Sequence, residues 1–132
     1  MESLILLDSS VLIDYFRKTK KESSFFVTLL ARPSSFAVSV ITEFEVYVGS
    51  KEAHQSFWDG IFSQLTILSL TSDCIKTALT IHHELKQKRQ QIAFPDLLIA
   101  ATAKSYNLPL ATLNEKHFNR VSDLELILNN QV

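Results

Sequence analysis

Short apolar runs alternate along this chain with longer stretches whose apolar residues recur at helical spacing. Residues 4–7 (LILL) read as a buried strand, and residues 11–17 and 24–31 as helices, the second ended by Arg32-Pro33-Ser34-Ser35. Residues 36–40 predict a strand, residues 42–49 a helix, and residues 52–64 a further helical stretch. Residues 65–70, rich in β-branched side chains, predict a third strand. Thr71 or Ser72 can cap a long helix whose apolar side runs through Ile75, Leu79, His82 and Leu85 and which ends near Arg89. Pro95 suits the first turn of a helix reaching Tyr106. Residues 108–112 and 124–128 complete the set as strands. This order predicts an α/β fold: a mostly parallel sheet of four or five strands with helices on both faces, built from residues 1–132 as one domain.

Composition narrows the function little. With 132 residues, 46% of them apolar and 20% charged, the chain is long enough for a real core. A net charge of −1 gives no general attraction for nucleic acid, so such binding would rest on a local patch or a bound cation. Cys74 is the only cysteine, which excludes an internal disulfide. Asp8 interrupts the first apolar run too early for a secretory leader, and no apolar run approaches the ~20 residues that span a bilayer. The expectation is a cytosolic protein with no membrane association.

Parallel sheets place ligand sites at the carboxyl ends of their strands. Asp8 stands at such an end. It can serve as a helix cap, but Ser9 and Ser10 can do the same, which favours a role in a cleft. Asp14 precedes Lys18 by four residues and reads as a surface ion pair. Glu43 and Glu45 lie about 200° apart on a helix wheel, so only one can face a cleft. Ile41, Phe44 and Val48 form the expected apolar stripe, with Glu45 at its edge beside Gly49 and Glu43 towards solvent. Thr42-x-x-Glu45 also matches a capping box, and spacing alone serves both readings of Glu45 equally. Asp96 is favoured by the helix dipole in its first turn, yet it shares a small apolar face with Ile99, Ala100 and Ala103 that can lie close to the sheet. Thr112 and Asn114 follow another strand end. His117 lies just behind them, either as an exposed loop residue or as a metal-site histidine. Carboxylates meeting in one cleft are tolerable when a divalent cation neutralises them, and oxygen donors suit Mg²⁺ or Mn²⁺.

Four segments in order, LLDSSVLID, SVITEFEVYVG, FPDLLIAATA and ATLNEKHF, resemble the PIN-domain family, in particular the VapC-type ribonuclease toxins of type II toxin–antitoxin systems. The first resembles the family's LDTNVLID and the third its D-x-x-I/L-A-A. The second fits its T-x-x-E-x-x-x-G through Thr42, Glu45 and Gly49, a register that selects Glu45 over Glu43. The resemblance implies a PIN-like fold and metal-dependent cleavage of RNA. It makes Asp8, Glu45 and Asp96 the catalytic acids and ligands of Mg²⁺, with Mn²⁺ able to substitute. It also implies a cognate antitoxin protein as partner and a homodimer, to which Phe25, Phe26 and Phe57 are candidate contributors beside their ordinary reading as core. Ser10, Thr112 and Asn114 become supporting partners of the acids. The chain departs from the family at His117, where a fourth acid often stands, so His117 is open between binding a metal, touching the scissile phosphate, and neither. Lys86, Lys88 and Arg89 could contact an RNA backbone, or simply form a solvated helix end.

A degenerate PIN domain that binds RNA or protein without cutting is the alternative that His117 motivates. A Mg²⁺-dependent phospho-acceptor domain fits less well. It would need paired acids after the first strand, where Ser9 and Ser10 stand.

Overall fold

The computed structural model describes residues 3–129. Strand β1 (Ser3–Leu7) leads into α1 (Ser9–Arg17), a single turn of 3₁₀-helix, and α2 (Phe25–Leu30). Strand β2 (Ser34–Ser39) passes directly into α3 (Val40–Val48), and α4 (Gln55–Phe62) precedes β3 (Thr66–Leu68). The long α5 (Ser72–Gln87) and α6 (Phe94–Ser105) come next, followed by β4 (Leu110–Ala111), the short α7 (Glu115–Phe118) and β5 (Leu126–Ile127). The strands form one sheet in the order β3-β2-β1-β4-β5, and every pairing is parallel. The α/β architecture expected from the alternation is therefore present.

The pleat divides the core between the two faces. Ile5, Leu7, Phe36, Val38, Ala111 and Ile127 point to one side, where Val11, Leu12, Phe26, Leu29, Trp58 and Phe62 cover them. Leu6, Ala37 and Leu110 point to the other, against Ala78, Ile81, Leu85, Leu97, Ile99 and Phe118. Strands covered on both faces carry continuous apolar runs, which is why LILL has no polar alternation.

The strand order also sets the position of the site. The chain builds outwards from β1 through β2 to β3, then returns to add β4 on the other side of β1. A crevice opens at that reversal, beyond the carboxyl ends of β1 and β4. Asp8 follows β1 and Thr112 follows β4, and the two strand ends are joined there by the Asp8 N–H donating to the Ala111 carbonyl at 2.9 Å.

Two helix faces differ from expectation. On α3, Phe44 and Val48 are 68% and 67% exposed, whereas Thr42 and Val46 are buried. The helix starts at Val40, capped by Ser39, whose hydroxyl accepts from Thr42 N–H at 3.1 Å. The compact Thr42 and Val46 face inwards, Ile41 of the expected stripe packs at the edge of the core, and Phe44 and Val48 stay outside. On α5 the buried line is Cys74, Ala78, Ile81 and Leu85, while Ile75 and Leu79 are exposed. Cys74 and Ala78 are small and permit close packing on the alanine-rich α6. Of the aromatics suggested for a homodimer, Phe25 and Phe26 are fully in the core, and Phe57 stacks at its edge on Tyr15. Phe25 and Phe26 are thus unavailable as contact surface, while Phe57 stays partly exposed.

Candidate active site

Asp8 occupies the N-cap position of α1 but makes no side-chain cap bond. Its Oδ2 instead accepts from Ser10 Oγ at 2.6 Å and from Thr112 Oγ1 at 2.8 Å. Each hydroxyl is polarised from behind. Leu113 N–H donates to Ser10 Oγ at 3.1 Å, and Asn114 N–H donates to Thr112 Oγ1 at 2.9 Å. The strand-end carboxylate is thus held by a helix start on one side and by the β4 loop on the other. The Asp8 side chain therefore does not serve as the cap of α1.

Glu45 takes no part in a capping box, because Ser39 holds the cap of α3. It accepts from Ser9 Oγ at 2.7 Å. The same Ser9 oxygen lies 2.9 Å from Thr42 Oγ1. Ser9 Oγ has donor geometry to both oxygens and carries one proton, so that proton is shared between Glu45 Oε1 and Thr42 Oγ1, with the carboxylate the nearer acceptor. Glu43 stands elsewhere. Its charge acts on the Tyr47 hydroxyl, whose pKa is pushed up to about 12 by desolvation first, then by its 2.6 Å bond to Asp59 and the charges of Asp59 and Glu43. The two glutamates therefore serve different surroundings, as the helix wheel requires. Asp14 keeps its surface role, 3.7 Å from Lys18, and also accepts from Phe25 N–H at the start of α2.

Asp96 lies in the first turn of α6, with Ile99, Ala100 and Ala103 fully buried below it. Its Oδ2 is 3.1 Å from Nδ1 of His117, which is 2.9 Å from Nδ2 of Asn114. His117 is on α7, a helical turn where the sequence suggested a loop. A continuous set of contacts thus runs from Asp96 through His117, Asn114 and Thr112 to Asp8, and Ser9, the next residue, carries it to Glu45. Sequence reasoning gave Ser9 only a capping role. The signal for more was its place directly after a strand-end acid.

Desolvation raises the pKa of Asp8. The hydroxyls of Ser10 and Thr112 pull it back, the negative charge of Asp96 adds to the rise, and the Ser9 backbone N–H lowers it. Among the described residues Lys18 pairs with Asp14, and the His117 ring meets Asp96 as an ion pair only when it is protonated, so no basic side chain neutralises Asp8 or Glu45. Nor do any three His, Cys, Asp or Glu side chains among the described residues stand close enough to hold one ion together. Mg²⁺ binds through one or two carboxylates and several waters, not a full protein cage. Asp8 and Asp96 lie near enough for the charge of Asp96 to act on Asp8, and both offer the hard oxygen donors Mg²⁺ takes, while Glu45 is bonded to Ser9. Two open depressions flank the site. One of about 570 Å³ is lined by Ser10, Ile13, Asp14, Arg17 and Lys18, and one of about 280 Å³ by Thr112, Leu113, Glu115, Leu128 and Asn129.

A fully parallel five-stranded α/β sheet with Asp8 at its topological switch sets the class of protein, and the family model for the PIN domain matches residues 5–124. The chain belongs to the PIN-domain family. It is 37% identical over 126 residues to Ribonuclease VapC1 of Methanocaldococcus jannaschii, covering 95% of this chain and 86% of that one. It is 32% identical over 130 residues to Ribonuclease VapC2 of Rickettsia felis, covering 93% of this chain and 96% of that one. Among solved structures it resembles VapBC2 from Rickettsia felis bound to a DNA fragment from their promoter, with a TM-score of 0.84, 30% identity, and coverage of 95% of this chain and 98% of that one. It also resembles a toxin–antitoxin complex from Klebsiella pneumoniae, with a TM-score of 0.77, 29% identity, and coverage of 97% and 99%.

Proposed function

We propose that this chain is a metal-dependent endoribonuclease, the toxin of a toxin–antitoxin pair, and that Asp8, Glu45 and Asp96 are its catalytic acids. The observation that supports the reading is the placing of Asp8 at the switch point of the sheet, with Asp96 linked to it through His117, Asn114 and Thr112 and Glu45 bonded to the adjacent Ser9. The family and the ribonuclease names of the similar chains support it.

Mg²⁺, for which Mn²⁺ can substitute, would lower the pKa of a water and neutralise charge on the scissile phosphate. Asp8 and Asp96 would hold the ion. Ser10 and Thr112 fix the Asp8 oxygen, so the carboxylate presents itself in one orientation without reorganising. Glu45 would accept hydrogen bonds from the attacking water. Without a cation, the negative charges of Asp8 and Asp96 would repel a phosphate. Arg17 and Lys18, which line the depression that starts at Ser10, would be candidates to meet a flanking phosphate, Lys18 in exchange for its pairing with Asp14. Lys86, Lys88 and Arg89 are a second candidate for the same task.

The partner is an antitoxin, as in the VapBC complexes that the fold resembles. An arginine from it would suit the unneutralised carboxylates. The chain would act as a homodimer in the cytoplasm, joined through exposed apolar surface such as Phe44 and Val48 rather than through the buried aromatics. Among the described residues no helix is long and apolar enough to cross a membrane. The test is direct. Expression of the chain should arrest growth, co-expression of the adjacent reading frame should relieve it, and the purified chain should cut RNA with Mg²⁺ or Mn²⁺. Tight RNA binding with no cutting in either metal would favour the degenerate, non-catalytic alternative.

A further inference from the structure

His117 stands where the proposed nuclease site departs from its family, and its geometry is more specific than a mere substitution. Its Nδ1 lies 3.1 Å from Asp96 Oδ2 and 2.9 Å from Asn114 Nδ2. One ring nitrogen holds either a proton or a lone pair. With a lone pair there, Nδ1 would accept from Asn114 but set its electrons against the Asp96 carboxylate, whose side chain is only 19% exposed. With a proton there, Nδ1–H donates to Asp96, and a half-turn of the Asn114 amide brings its oxygen to the same hydrogen. The second arrangement satisfies all three groups. It leaves the lone pair on Nε2, on the far side of a ring that is 41% exposed.

We infer that His117 is a positioning residue for Asp96: in the neutral form of the ring it carries its proton on Nδ1, donates to Asp96 Oδ2 and so orients that carboxylate for a divalent ion, without itself being a ligand. This rests on the nuclease reading only for the ion. The hydrogen bond and the tautomer are properties of the protein alone. A fourth acid at this position would instead add a negative charge beside Asp96. The imidazole supplies a donor and no charge.

Side-chain amides separate the two nitrogens of the ring. The nitrogen of Asn overlays Nδ1 of His, while that of Gln overlays Nε2. His117→Asn therefore keeps a donor to Asp96, His117→Gln keeps a group only at the outer nitrogen, and His117→Leu keeps neither. The experiment has two arms on the metal-free, ¹⁵N-labelled protein and on its complex with Mn²⁺. Long-range ¹⁵N–¹H spectra, with the His117 signal assigned by its absence in His117→Asn, should show protonated Nδ1 and bare Nε2. The reverse tautomer is the usual one for a free histidine side chain and would overturn the inference. Mn²⁺ affinity, read by the paramagnetic signal of free Mn²⁺, should be nearly unchanged in His117→Asn. It should fall by roughly 10- to 100-fold in His117→Leu and His117→Gln, as outer-shell losses do. Retention in His117→Gln with loss in His117→Asn would make Nε2 a ligand and reject the positioning role; equal affinity in all four proteins would also reject it. If no protein binds Mn²⁺ while wild type shows the Nδ1–H tautomer, the bond to Asp96 stands, the orientation for an ion falls, and the metal reading of the whole site falls with it.

Discussion

Ser9 Oγ donates to Glu45 Oε1 at 2.7 Å, across the gap between the start of α1 and the middle of α3. Ser9 adjoins Asp8 in the chain, so this one hydroxyl fixes how far the α3 acid stands from the strand-end acid. Ser9→Ala removes the donor and leaves Thr42 Oγ1 without its partner. It should cost about 1–3 kcal/mol of stability. Urea unfolding of Ser9→Ala, Glu45→Gln and the double variant should show non-additivity of at least about 0.5 kcal/mol. Strict additivity would mean that the bond contributes nothing.

Asp8 gives a pH dependence whose sign follows from its burial. Its pKa in the folded protein is raised, chiefly by desolvation, so the unfolded chain ionises at lower pH than the folded one. Its contribution to stability is full below the unfolded value and is lost as pH rises through the raised folded value. Metal-free Asp8→Asn should therefore melt higher than wild type at neutral pH, and the gain should fade on acidification. Mn²⁺ should raise the melting temperature of wild type and leave Asp8→Asn unmoved. Thermal scans from acid to neutral pH, with and without Mn²⁺, check both statements.

Thr112 is fully buried and both donates to Asp8 and accepts from Asn114 N–H. Thr112→Val keeps the volume and removes both bonds. The cost should be about 1–3 kcal/mol. Loss of a donor also raises the Asp8 pKa further, so the acid limb of the activity profile should move to higher pH. A limb that stays in place would detach Thr112 from the ionisation of Asp8.

The exposed stripe of α3 separates packing from assembly. Phe44→Glu, at a position 68% exposed, should change monomer stability by less than about 0.5 kcal/mol, whereas Leu12→Ala in the core should cost about 2–5 kcal/mol. If Phe44 and Val48 join two copies, sedimentation should show wild type as a dimer and Phe44→Glu as a monomer. A variant that stays dimeric would move the interface elsewhere.

Much of this was legible in the sequence because strands covered on both faces carry unbroken apolar runs, and LILL, FAV and the run ending at Ala111 announce themselves. Asp8 and Asp96 were legible as acids where apolar segments meet helix starts. The separation of Glu43 from Glu45 followed from helical spacing alone. The inward face of α3 was not legible, since hydrophobicity marked Phe44 and Val48, whereas the compact Thr42 and Val46 face inwards. Ile75 and Leu79 misled in the same way: close packing on α6 favoured the small Cys74 and Ala78. Ser9 escaped notice because its partner Glu45 lies 36 residues away, a contact that no local pattern contains. The short strand β5 ends at Ile127, and residues 130–132 lie outside the described part of the chain.

The central claim is that Asp8, Glu45 and Asp96 act together on RNA through a divalent ion. The most direct measurement is the rate of cleavage of a single-stranded RNA by wild type, Asp8→Asn, Glu45→Gln, Asp96→Asn and Glu43→Gln, in Mg²⁺, in Mn²⁺ and in EDTA. Wild type and Glu43→Gln should cut at similar rates with either metal and not at all in EDTA. Each of the other three should lose more than the roughly 10- to 100-fold that an outer-shell partner is worth. Cleavage that survives EDTA, or a Glu43→Gln variant that is inactive while Glu45→Gln is not, would contradict the account.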